Sequence, residues 1–190
     1  MPKPHEKHDL QEWIVAARKG KTAAQREIYR QFYAYGMSIA IRYAENEAEA
    51  EEIVNDMYMK VFKNLDTYAP NLSFKAWFRR ILINTAIDYH RKYQKHKYTL
   101  GITHAQGISV ENDTISEMSA QEILKLVQQL APSYRMVFNL YVVEGYKHKE
   151  VAEKLGITEV TSRATFATAR HKLQKMILDT QKFNQRRANG

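Results

Sequence analysis

The sequence predicts an all-α protein: two small helical bundles joined by a flexible linker, with a helix-turn-helix in the C-terminal bundle. Three observations carry this. Glycine and proline are scarce, seven and four in 190 residues. Apolar residues recur at spacings of three and four, and period-2 alternation is not sustained anywhere. One stretch, residues 97–116, loses that periodicity and gains glycines and hydroxyls.

Residues 1–8 read as a tail. A first helix is predicted over 9–19, with Leu10, Trp13, Ile14 and Ala17 on one face and Gly20 as its stop. Thr22 then stands as an N-cap, with Gln25 in the reciprocal capping-box position. Ile28, Phe32, Tyr35, Ile39 and Tyr43 mark the buried face of the second helix. Asn46 with Glu49 repeats the cap signature, and Ile53, Val54, Met57, Val61 and Leu65 form the next stripe. Residues 66–72, DTYAPNL, read as a loop, because Pro70 disfavours helix at Ala69. Ser73 caps a fourth helix carrying Phe74, Trp77, Phe78, Ile81 and Leu82 and continuing to about Tyr93. The first bundle therefore covers 9–96, and 97–116 is a linker.

Helical pattern resumes near Ser119 and runs through Leu130. Pro132 fits the first position of a further helix, which carries Val137, Phe138, Tyr141 and Val142 and ends at Gly145. The second bundle spans 117–180, and 181–190 is a tail expected to fray after Phe183.

Composition narrows the function classes. The net charge of +8 favours a polyanionic partner, nucleic acid first and an anionic membrane surface second. The absence of cysteine excludes disulfides, thiolate zinc sites and cysteine nucleophiles, and fits a reducing compartment. MPKPHEKHDL has no apolar core for a signal peptide, and no apolar run approaches the roughly 20 residues that span a bilayer. A cytoplasmic protein without membrane insertion is expected. No Gly-rich phosphate loop, nucleophile elbow or metal constellation appears, so neither enzyme chemistry nor a cofactor is expected.

Three stretches carry candidate sites. In EVAEKLGITEVTSRATFATAR, residues 150–170, Ala152 suits the crossing of two helices and Gly156 a turn at positive φ. Val151, Leu155, Ile157, Phe166, Ala169, Leu173 and Ile177 anchor the pair, and Thr158 caps the second helix. The remaining face carries Thr161, Ser162, Arg163, Thr165, Thr168, Arg170 and Lys172. These are hydroxyls and cations of the kind that meet phosphates and base edges in a major groove. A plain helix pair with a solvated face is the bland alternative.

Residues 71–98 interleave Lys75, Arg79, Arg80, Arg91, Lys92, Lys95 and Lys97 with Phe74, Trp77, Phe78, Tyr89, Tyr93 and Tyr98. Cations hold a phosphate backbone, and exposed aromatic faces stack on unpaired bases. Core packing of the aromatics is the alternative. Asn84 and Asp88 break the apolar stripe one turn apart. They are either structural (a local hydrogen bond or an Asp88–Arg91 pair) or base-reading. ENEAEAEEIVND, residues 45–56, has six acids and no base. It reads as a solvated face, or as a protein-docking surface that repels DNA.

In order and spacing, these stretches resemble a bacterial RNA polymerase sigma factor of the sigma-70 family, of the two-domain, extracytoplasmic-function type. AEAEEIVNDMYMKVFKNLDTY is similar to the region that docks on core polymerase. SFKAWFRRILINTAIDYHRK is similar to the −10-recognition and melting region. LAPSYRMVFNLYVVEGYKHKEVAEKLGITEVTSRATFATARHKL is similar to the −35-reading domain. The resemblance implies that the chain binds core RNA polymerase and directs promoter-specific initiation. Glu52, Asn55, Asp56 and Lys60 would face the clamp helices of the largest subunit, and the second domain would meet the flap of the second-largest. The loop 66–72, with Tyr68 and Asn71, would hold a flipped base of the non-template strand. Asn84 and Asp88 would begin −10 reading while Arg79, Arg80, Arg91 and Lys92 hold the backbone. The helix starting near Thr158 would read the −35 duplex. An anti-sigma factor is a further partner of such proteins.

The sequence also departs from the family. Asn55-Asp56 stand where Gln-Glu is common. Val160-Thr-Ser-Arg-Ala-Thr165 replaces Gly-Thr-Val-Lys-Ser-Arg, which puts Ser162 at a usually apolar position. The competing reading is a stand-alone helix-turn-helix regulator with an N-terminal sensor or dimerisation domain. Such a domain has no need of an acidic helix beside a basic aromatic one.

Overall fold

A computed structural model describes residues 4–97 and 119–188. The chain divides into two compact units, Met1–Tyr89 and His90–Gly190. The linker expected over 97–116 lies outside the described residues apart from Lys97, as do residues 1–3 of the expected N-terminal tail and 189–190 of the C-terminal one.

The first unit is built from α1 (Pro4–Arg18), α2 (Thr22–Ala40), α3 (Glu47–Lys63), a 3₁₀ turn (Leu65–Thr67) and most of α4 (Phe74–Lys97). Helix α1 starts five residues before the predicted Asp9, because proline suits a first helical turn and helix does not need apolar residues to propagate. Gly20, at φ +76°, stops it: Gly20 N–H donates to Ala17 O and Lys21 N–H to Ala16 O. That closure sets the next start one residue earlier than expected. Lys21 is the N-cap of α2 and Thr22 lies inside it, so the capping box predicted at Thr22 is absent.

The caps of α3 and α4 follow the sequence. Asn46 Oδ1 accepts from Glu49 N–H at 2.9 Å, while the Glu49 carboxylate reaches back to Glu45 N–H at 3.0 Å. Ala76 N–H donates to Ser73 Oγ at 3.4 Å. The predicted stripes are buried apart from Tyr35, which is half-buried: Ile28, Phe32, Ile39 and Tyr43, then Ile53, Val54, Met57, Val61 and Leu65. Phe74, Phe78 and Leu82 of α4 close this core. Phe32 meets Phe74 edge-on at 5.1 Å, and Tyr58 meets Phe78 edge-on at 5.6 Å. Such pairs add about 0.5–1.5 kcal/mol each beyond area burial.

The second unit contains α5 (Ala120–Gln128), α6 (Pro132–Phe138), a π-helical turn (Asn139–Val143), α7 (His148–Leu155) and α8 (Glu159–Ala188). Ser119 and Glu122 form a full capping box on α5, and its two hydrogen bonds hold the Glu122 carboxyl below its ordinary value. Pro132 opens α6 as predicted. The core joins Leu126, Val127 and Leu130 of α5 and its end to Ala169, Leu173 and Ile177 of α8.

Two expectations change here. The helix after Pro132 is not regular to Gly145. Its last turn widens to π, which buries Asn139 and Leu140 but leaves Tyr141, Val142 and Val143 exposed. Val142 of the predicted apolar stripe thereby faces outward, while Tyr141 keeps one ring face on His148 at 4.2 Å. Helix α8 also runs on to Ala188 through the expected tail, because no glycine or proline interrupts 159–188.

Candidate nucleic-acid interface

Three exposed helix faces carry the residues singled out in the sequence. On α3, the apolar positions are buried and Glu52, Asn55 and Asp56 are exposed one turn apart, with Lys60 half-buried beyond them. Met59 stands among them with 74% of its surface exposed. Sequence reasoning passed over it. The available signal was a large apolar residue two places after Met57, off the buried stripe.

On α4, Arg80, Asn84, Asp88, Arg91 and Lys92 are exposed and follow one another at helical spacing, while Arg79 is half-buried. Phe74 and Phe78 are core, and Trp77 packs at 5.5 Å on both Tyr68 and Phe74. For these aromatics the core reading holds. Asp88 pairs with Lys60 at 2.7 Å, across from α4 to α3, rather than with the Arg91 envisaged from spacing. The Tyr89 hydroxyl donates to Glu52 at 2.8 Å. Both pairs are exposed, so each contributes at most about 1 kcal/mol. They link the α3 face to the α4 face.

Tyr68 corrects an expectation. Proposed as a base contact, it is 2% exposed. Its ring packs edge-on against Phe74 at 5.3 Å, and its hydroxyl donates to Leu72 O at 2.7 Å. An aromatic residue in a loop next to a core is drawn inward by the area it buries. Asn71 and Leu72 are the exposed part of this loop.

In the second unit, α7 and α8 form the predicted turn. Gly156 sits at φ +70°, Ile157 N–H donates to Ala152 O at 3.1 Å, and Thr158 Oγ1 accepts from Thr161 N–H at 3.0 Å. Glu150 caps the start of α7 by accepting from Lys147 N–H at 2.7 Å.

Ser162 is the second correction. It is fully buried and unavailable to DNA. Its Oγ lies 3.0 Å from His148 Nδ1, and the imidazole stacks on Tyr141 at 4.2 Å and packs by Phe166 at 5.7 Å. Ser162 stands four residues before Phe166 and seven before Ala169, on the apolar stripe of α8, so helical period places it inside despite its polarity. Burial lowers the His148 pKa first and the Arg163 charge second, while Glu159 opposes them.

The remaining polar residues of α8 do not share one face. At about 100° per residue, Thr161, Thr165, Thr168 and Lys172 follow one flank. Arg163 and Arg170 follow the other, roughly half a turn away. Arg163 is held by Glu159 at 2.5 Å. Thr165 and Thr168 are half-buried, Thr168 donating to Ala164 O at 3.1 Å. Val160, Ala164 and Ala167, exposed between the flanks, were missed because small apolar residues look inert in sequence.

Among the described residues there is no group of three metal-ligating side chains, and no helix long and apolar enough to cross a membrane.

Comparison with known proteins matches residues 28–96 to the family model for Sigma-70 region 2 and residues 120–173 to that for Sigma-70, region 4. The ECF RNA polymerase sigma factor SigW of Bacillus subtilis is 26% identical over 178 residues, covering 87% of this chain and 95% of its own. The RNA polymerase sigma factor SigZ of the same organism is 26% identical over 139 residues, covering 71% and 78%. The sigma factor RpoE of Bartonella quintana, solved with the anti-sigma factor NepR, superposes with a TM-score of 0.47 at 20% identity, covering 81% of this chain and 96% of that one.

Proposed function

Because this chain belongs to the sigma-70 family, as a promoter-recognising sigma factor of the extracytoplasmic-function type, we propose that each of its three exposed faces meets one partner. The α3 face, Glu52, Asn55, Asp56 and Lys60 with Met59, docks on the clamp helices of the largest subunit of core RNA polymerase. The α4 face, Asn84 and Asp88 flanked by Arg79, Arg80, Arg91 and Lys92, takes the non-template strand at −10, with Asn71 of the loop beside it. Helix α8 enters the major groove at −35. There Thr158, Thr161, Thr165 and Lys172 line one side and Arg163 and Arg170 the other, with the methyl groups of Ala164 and Ala167 facing the base edges between them.

The observation that supports this most is separation by chemistry. The acidic α3 offers exposed acids, and the α4 and α8 faces offer cations with amides or hydroxyls. An acidic face repels phosphate and leaves the basic faces to hold it. Sigma factors are initiation factors rather than enzymes: the chain lends sequence specificity to a polymerase. Polymerase binding sets the spacing of two weak DNA contacts so that they act as one strong one. Opening at −10 is then differential binding, in which unpaired strand is preferred to duplex and polymerase contacts offset unstacking. The site of action is the cytoplasm, the second domain docks on the flap of the second-largest subunit, and an anti-sigma factor that covers these faces holds the protein inactive.

The testing experiment is co-elution of the purified chain with sigma-free core polymerase at moderate salt. A stoichiometric complex supports the assignment. A folded, monodisperse chain that elutes apart from core refutes it and returns the question to a stand-alone regulator on paired half-sites.

A further inference from the structure

Helix α1 precedes the residues matched to region 2, which start at 28, and no face described above includes it. Ile14 and Ala17 bury its inner side. Two of its polar side chains, Gln11 and Arg18, are seven residues apart and therefore share a helix side. Both reach the loop that follows α3. Arg18 Nε donates to Leu65 O at 3.1 Å and its Nη2 donates to Tyr68 O. The same guanidinium lies 3.9 Å from the Asp66 carboxylate. Gln11 Nε2 donates to the Tyr68 hydroxyl at 3.4 Å, and that hydroxyl donates to Leu72 O at 2.7 Å.

These bonds form one connected brace. The guanidinium fork ties together two carbonyls three residues apart, across the 3₁₀ turn. Its positive charge sits at the C-terminal end of that turn, where carbonyl oxygens converge and Leu65 O also accepts from Tyr68 N–H at 3.2 Å. Tyr68 carries the constraint onward from Tyr68 O, through its buried ring, to Leu72 O. Asn71 and Leu72, exposed just beyond this anchor, offer an amide for a base edge and an apolar side chain for a base face. Lysine cannot replace arginine here, because an ammonium lacks the planar fork that spans two acceptors.

We propose that Arg18, assisted by Gln11, is a positioning residue that holds the 65–72 loop in the shape that receives one unpaired base of the −10 strand, so that α1 sets base selectivity without touching DNA. This rests on the reading of that loop as base-receiving. The physical reason is pre-organisation. A pocket discriminates among bases only if its groups are held in place before binding, and a slack loop adapts to all four.

The test uses the full chain reconstituted with sigma-free core polymerase. Single-stranded DNA oligonucleotides with randomised −10 positions are selected on the wild-type complex. Four oligonucleotides differing at the most discriminating position are then titrated against wild type, Arg18→Lys and Gln11→Ala. The expected result is a preferred-to-worst affinity ratio that falls about fivefold or more in Arg18→Lys and by less in Gln11→Ala, with core binding and −35 duplex binding intact. An unchanged ratio in Arg18→Lys overturns the proposal, and so does an equal loss of affinity for all four bases. If Arg18→Lys fails to bind core, Gln11→Ala decides: a lowered ratio supports the brace and an unchanged one overturns it. Wild-type complex with no base preference at any position refutes the base-receiving loop itself, an outcome distinct from a preference that survives Arg18→Lys.

Discussion

The His148–Ser162 pair should couple the stability of the second unit to its −35 reading. The pair joins the first turn of α7 to the first turn of α8, and both residues are buried, Ser162 completely. Their 3.0 Å contact is the polar link inside an otherwise apolar crossing. Ser162→Ala removes one partner and strands an imidazole nitrogen in the core, which costs about 1–3 kcal/mol. For a unit of this size about 1 kcal/mol moves the transition by roughly 4–8 °C. Replacing both groups, His148→Phe with Ser162→Ala, keeps the ring stacked on Tyr141 and leaves no buried polar atom behind. Matched apolar replacement of both partners is close to neutral. The double variant should therefore be more stable than Ser162→Ala alone, with a coupling of about 1 kcal/mol or more between the two sites. The assay is calorimetric unfolding of the full chain, wild type, both single variants and the double, alongside fluorescence titration of a −35 duplex. Additivity of the two single effects within about 0.5 kcal/mol would refute the reasoning.

The same histidine gives a pH prediction. Its folded pKa is lowered from 6.5 by burial first and by Arg163 second, and its place at the start of α7 adds the unfavourable helix end. The unfolded state then binds the proton more readily, so the contribution of neutral His148 is complete above about pH 6.5 and is lost as pH falls below it. The charged groups facing it from α8, Arg163 and Glu159, are paired with each other at 2.5 Å. The transition temperature of the second unit should fall below pH 6.5 in wild type, and that component should vanish in His148→Phe, Ser162→Ala. Asp56→Ala should weaken co-elution with core polymerase by about 1 kcal/mol or more and leave −35 duplex binding unchanged. Arg163→Ala and Arg170→Ala should do the reverse, each lowering the salt slope of duplex binding by about 1 if it meets a phosphate. Equal losses in both assays would break the assignment of faces. Asn84→Ala should impair transcription from duplex promoters more than from templates already melted at −10, by roughly tenfold if a base contact of about 1–3 kcal/mol is lost. Equal impairment on both templates would exclude base reading.

Legible along the chain were the helices, their caps at Asn46, Ser73 and Thr158, most of the stripes that became the two cores, and the glycines at which α1 and α7 stop. Each follows from interactions within a few residues along the chain: the helical period, a side chain reaching a nearby N–H, or the freedom of glycine at positive φ. The order of the two halves also sufficed to recognise the family. Long-range packing, by contrast, chose which polar residues face solvent. Tyr68 and Ser162 carry hydroxyls that suggest a DNA surface, yet one is anchored under a loop by Leu72 O and the other against His148. Asp88 found Lys60, twenty-eight residues away, in preference to its neighbour Arg91. Arg18 gained its role from carbonyls forty-seven and fifty residues further on. The π turn at Asn139–Val143, with Val142 left exposed, came without any signal in local propensity. The physical reason is common to all of these. Hydrogen-bond partners distant in sequence are chosen by packing, and a local pattern fixes the direction of a side chain but not what stands opposite it.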